Sequence, residues 1–91
     1  MAKYLIEVPH EADKSACAEA VRVFQNTGSH FLTNADWGCM DGEHKAWFFM
    51  DINDKQQALN VVPPAYRRKA KITFVNKFSI DEMDQLSASH G

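Results

Sequence analysis

Residues 31–52 read FLTNADWGCMDGEHKAWFFMDI, two runs rich in strand-favouring residues on either side of Asp41-Gly42. An Asp-Gly pair accepts the positive φ that a tight turn requires, so the stretch predicts a β-hairpin. Its second arm is apolar at every position from Ala46 to Met50, the pattern of a strand covered on both faces and set inside a sheet. In the first arm Phe31, Thr33, Ala35, Trp37 and Cys39 alternate with Leu32, Asn34, Asp36, Gly38 and Met40. That mixed alternation predicts a strand nearer an edge.

The remaining elements follow from periodicity and capping. Over residues 3–9, Tyr4, Ile6 and Val8 fall on one face of a strand and Leu5 and Glu7 on the other, with Pro9 closing the ladder. Asp13 is placed to cap a helix bearing Ala16, Cys17, Ala20, Val21 and Phe24 along one stripe, and Gly28 supplies its exit. Asn53-Asp54 opens a second helix with Ala58, Leu59 and Val62 inward, which Pro63-Pro64 terminates ahead of a loop over 65–69. Residues 70–78 form a fourth strand, with Ile72 and Phe74 on one face and Thr73 and Val75 on the other. Ser79-Ile80-Asp81-Glu82 matches a capping box and opens a helix over 79–87 that holds Ile80, Met83 and Leu86, before a tail at 88–91. The order is β-α-β-β-α-β with an added C-terminal helix, an α+β chain of ferredoxin-like type. Right-handed crossovers place strand 3 between strands 1 and 2, giving an antiparallel sheet in the order 4-1-3-2.

Length and composition restrict the function classes. Ninety-one residues with 45% hydrophobic and 24% charged content predict one globular domain over 1–91, its core within 3–78. A net charge of −2 provides no field for a polyphosphate, so nucleic-acid binding is not expected despite Arg67-Arg68-Lys69. No run reaches the roughly 18 apolar residues of a membrane span, and the first residues, with Lys3 and Glu7 among the apolar ones, form no export signal. A soluble cytoplasmic protein is expected, with Cys17 and Cys39 as free thiols and Cys17 a core residue of its helix.

Helices cover one face of such a sheet. The other carries Leu5, Val75 and either Trp47 with Phe49 or Phe48 with Met50, and an apolar face of that size needs a cover. In this arrangement over residues 3–78 the chain resembles the dimeric α/β-barrel group, which includes small isomerases, cofactor-free monooxygenases, stress-related proteins and metal binders. The resemblance implies a homodimer packed sheet against sheet, with space for a small molecule between the sheets. It is one of architecture and includes no catalytic motif, so it specifies no reaction and no cofactor.

The strand order brings the chemistry-bearing residues to one sheet edge, where strands 1 and 2 end and strands 3 and 4 begin. His10, Cys39 and His44 meet there as a candidate metal set, since imidazole and thiolate suit zinc, nickel or copper. A small-molecule pocket is expected under the uncovered sheet face, with Glu7, His10, Trp37, His44, Trp47 and Arg67 as its candidate residues and a packed interface core as the alternative. His44 with Glu7 or Glu43 has the makings of an acid–base pair, and Cys39 beside His44 those of an activated thiol. Geometrically, His10 should lie within about 5–10 Å of His44, one or two strand spacings, whereas His30 belongs to the opposite end.

Overall fold

β1 (Ala2–Pro9) is the strand to which the rest of the sheet is hydrogen-bonded on both sides. The computed structural model describes residues 2–90. Antiparallel partners share a face, and the register Tyr4↔Met50, Ile6↔Phe48 and Val8↔Ala46 aligns the buried residues of β1 with those of β3 (Lys45–Ile52). On the other side Ile6 faces Ile72 of β4 (Lys71–Val75). β2 (Asp36–Trp37) completes an antiparallel sheet in the order β2-β3-β1-β4, the predicted 4-1-3-2 order read from the other edge.

The helices between β1 and β4 lie on the face bearing Tyr4, Ile6 and Val8. α1 (Lys14–Asn26) is capped by the Asp13 carboxylate, which accepts the Ala16 N–H at 2.7 Å, and it buries Ala20 and Phe24. α3 (Lys55–Val61) is capped in the same way by Asp54 on Gln57 and buries Ala58. Phe24, Ile6, Leu32, Val8 and Val62 are the largest fully buried side chains, each worth roughly 1.5–3 kcal/mol of apolar burial.

Four expectations need correction. The first arm of the hairpin is a strand only at Asp36 and Trp37, because α2 (His30–Thr33) occupies its start. There the Ser29 hydroxyl accepts the Leu32 N–H, and the Thr33 hydroxyl and Asn34 amide both donate to the His30 carbonyl. These local bonds compete with a ladder, and the turn of helix buries Leu32 while leaving Phe31 outside. Second, the expected loop at 65–69 contains α4 (Pro64–Arg67), where Pro64 stands in the first turn and gives up an N–H that no helix would use.

Third, β3 is central but not covered on both faces: Ala46, Phe48 and Met50 are buried, whereas Phe49 is 54% exposed. The open face therefore carries Trp47 and Phe49 beside Leu5 and Val75, and Phe48 and Met50 belong to the core. Fourth, α5 (Ile80–His90) extends past residue 87 where a tail was expected. Its start is the predicted capping box, with Ser79 accepting from Glu82 N–H and Glu82 accepting from Ser79 N–H. Ile80 and Met83 are exposed; the side chain of Leu86, the third apolar residue expected on this helix, lies outside what the structure describes. Among the described residues no helix is long and apolar enough to cross a membrane.

Candidate metal centre

β1 ends at Pro9, and the next residue continues the pairing with one more backbone bond, His10 N–H to the His44 carbonyl at 3.0 Å. This bond fixes the two histidines side by side where β1 ends and β3 begins, and their rings meet edge to face with centroids 5.7 Å apart. His30 sits in α2, where its contacts are Asn34 and Phe31.

Cys39 and His44 are connected by a loop braced almost wholly by its own backbone. Gly38 N–H donates to Lys45 O, Asp41 and Glu43 N–H both donate to Gly38 O, and Gly42 N–H donates to Cys39 O. Gly42 adopts φ +79°, the left-handed conformation expected of the Asp-Gly turn. Gly38 is required for a different reason: a Cβ there would lie 2.6 Å from Cζ3 of Trp47 and 2.7 Å from the Glu43 carbonyl oxygen. The Trp47 indole thus lies directly against the base of the loop, while its N–H donates to the Glu7 carboxylate at 3.0 Å.

The fourth member of the group is Cys17. It sits one turn into α1, its N–H bonded to the carbonyl of the capping residue Asp13, and this places its sulfur over the same sheet edge. His10 Nε2 lies 2.9 Å from Cys17 Sγ and 3.2 Å from Cys39 Sγ, and His44 Nδ1 lies 3.7 Å from Cys17 Sγ. All four donor atoms fall within 4.8 Å of one another, and all four residues are half-buried. Trp37 walls the group on the core side, its ring 5.8 Å from that of His10 and 4.9 Å from that of Phe24.

Cys17 and Cys39 are joined as a disulfide, which overturns the expectation of two free thiols and of Cys17 as a packing residue. The pairing escaped the sequence reading because a link across 22 residues leaves no local trace in a two-cysteine chain. A signal for Cys17 was nevertheless present. A helix that starts directly after β1 has its first turn at the edge where β1 ends, and Cys17 is seven residues from His10.

Burial, reinforced by the neighbouring His44, holds His10 below the usual histidine range, against a smaller opposing pull from Asp13. A neutral ring keeps a lone pair available as a donor. His10 Nδ1 is buried without a hydrogen-bond partner among the described residues, and the ring's polar contacts are made through Nε2, the atom facing both sulfurs. With the cysteines reduced, two thiolates and two imidazole nitrogens make up the donor set of a mononuclear tetrahedral site.

The other residues considered for ligand binding lie apart from this group. Glu7 and Trp47 pair with each other on the open face of the sheet. Arg67 donates from Nε and Nη2 to the Val62 carbonyl and from Nη2 to that of Asn60, fastening the end of α3. Cys17, Cys39, His44 and Trp37 instead border a shallow hollow of about 500 Å³, with Met40 on its rim. No family model, curated protein or solved structure matches this chain.

Proposed function

We propose that this protein is a metal-binding domain whose reduced form holds one zinc ion between His10, Cys17, Cys39 and His44. The observation that carries the reading is the convergence of four donors within 4.8 Å from the residue after β1, from α1 and from the two ends of the β2–β3 loop. Four protein ligands close a tetrahedral shell, so the centre serves binding or structure rather than catalysis at an open position. Because the ligands come from elements far apart in sequence, the ion would tie together a fold in which β2 is only two residues long. The test is elemental analysis of protein prepared without an affinity tag and kept reduced. One zinc per chain is expected, lost in Cys39→Ser and His44→Ala and retained in His30→Ala. A reduced, folded protein with no stoichiometric metal would refute the reading.

A second reading concerns the open sheet face, and the exposure of Phe49 favours it. The element order and the sheet order support a ferredoxin-like classification, and in the dimeric α/β-barrel group that the chain resembles such a face is closed by a second copy. Leu5, Phe49 and Val75 line an open groove of about 970 Å³ there, with Lys3 Nζ 4.6 Å above the Phe49 ring. A homodimer formed through this face would bury the apolar surface and leave a site for a small apolar molecule. Light scattering at tens of micromolar checks the reading: a dimer is expected, and a strict monomer removes it.

A further inference from the structure

We infer that the centre is also a redox sensor, in which a hydroperoxide converts the two thiolate ligands into the Cys17–Cys39 disulfide and thereby expels the metal. The inference rests on the zinc reading above and adds the control of that site. Its starting point is that the same two sulfurs are bonded to each other and also lie against the imidazoles of His10 and His44. The two states exclude one another. Thiolates on one zinc at about 2.3 Å stand roughly 3.7 Å apart in tetrahedral geometry, whereas a disulfide holds its sulfurs about 2.05 Å apart and removes the negative charge that made them ligands.

The motion between these states is short and falls on one component. Cys17 is carried by a capped helix turn, while Cys39 opens a turn braced by bonds within residues 38–43, from Asp41 and Glu43 N–H to Gly38 O and from Gly42 N–H to Cys39 O. A shift of that turn leaves in place the β1–β3 ladder and the His10 N–H bond to the His44 carbonyl, which hold His10 against His44. An oxidant has access, because Cys17 and Cys39 both border the open hollow beneath the fully exposed Met40.

One thiolate attacks a peroxide oxygen, so that an S–O bond forms, the O–O bond breaks and an alcohol leaves with one proton. The second thiolate then attacks the oxidised sulfur, the S–S bond forms, and hydroxide leaves as water with a second proton. Two thiolates, one hydroperoxide and two protons give one disulfide, one alcohol and one water. The sulfurs supply both electrons, and zinc leaves without change of oxidation state, since two imidazoles alone do not complete its shell. A phosphine or dithiol reductant restores the ligands.

The experiment titrates zinc-loaded, reduced protein with tert-butyl hydroperoxide in the presence of a chromogenic zinc indicator, with thiols counted in parallel and the oxidised protein mapped by peptide mass. One zinc released for every two thiols lost is expected, with a single Cys17–Cys39 linkage and re-uptake of zinc after phosphine reduction. In His44→Ala, which keeps both cysteines, the disulfide should form at a faster rate because the thiolates are no longer shielded by metal. Zinc bound at one per chain but retained through oxidation, or released with sulfinic acids and no disulfide, would overturn the switch while leaving the metal reading intact. If the reduced protein never takes up zinc, both fall.

Discussion

Gly38 is the position at which the fold and the candidate centre depend on the same few atoms. Replacing it with alanine puts a methyl group 2.6 and 2.8 Å from Cζ3 and Cη2 of Trp47 and 2.7 Å from the Glu43 carbonyl oxygen. One of these neighbours must move. If the indole swings away, it gives up its 3.0 Å bond to Glu7; if the loop lifts, Gly38 N–H leaves Lys45 O, and Cys39 shifts relative to His10. Overpacking of this kind costs about 1–3 kcal/mol, and a lost bond to a carboxylate about 1.5–3 kcal/mol. Because one displacement relieves the other, the total should be about 2–4 kcal/mol rather than their sum. The informative comparison is Gly42→Ala, where φ is +79° but nothing lies within 4 Å of the new Cβ. That change carries only the left-handed backbone cost of about 1–2 kcal/mol. For a domain of this size each kcal/mol moves the thermal midpoint by roughly 4–8 °C, so Gly38→Ala should melt clearly below Gly42→Ala in circular dichroism. It should also lose more zinc affinity. Equal melting temperatures for the two variants would mean that the Trp47 contact does not constrain the loop.

Leu32→Ala should cost about 2–5 kcal/mol, and Phe31→Ala under about 1 kcal/mol, because Leu32 is fully buried while Phe31 lies outside; the reverse order in chemical denaturation would restore a strand at 30–33. Arg67→Lys should destabilise by about 1–2 kcal/mol through loss of the forked bonds to the Val62 and Asn60 carbonyls. It should leave metal content unchanged, which elemental analysis checks. Phe49→Asp, on the open face, should abolish any dimer seen by light scattering while leaving the thermal transition of the dilute protein within about 0.5 kcal/mol of the parent.

The sequence was most readable where one requirement acted alone. The alternation of Tyr4, Ile6 and Val8, the caps at Asp13 and Asp54, and the capping box at Ser79 each follow from local chemistry, and each stands where it was expected. The strand order followed from connection handedness, and with it the meeting of His10 and His44. The reading failed where tertiary burial overrode pattern. Residues 30–33 alternate like a strand, but Leu32 reaches the core only from a turn of helix. Apolar residues on both faces of β3 predict two covers, of which the single chain supplies one and leaves Phe49 exposed. Cys17 was assigned to packing because its helical spacing explained it fully; only the three-dimensional placement of the α1 start beside the end of β1 shows the second cysteine of the group.

Cobalt(II) titration of the reduced protein tests the metal centre most directly, because the absorption spectrum of cobalt reports both coordination number and sulfur ligation. Intense tetrahedral d–d bands and a thiolate-to-cobalt charge-transfer band are expected, both saturating at one equivalent. Cys17→Ser should weaken the charge-transfer band, zinc should bleach both features, and the oxidised protein should show neither. A weak octahedral spectrum without a charge-transfer band, or absorbance that grows without saturating, would contradict a closed site built from His10, Cys17, Cys39 and His44.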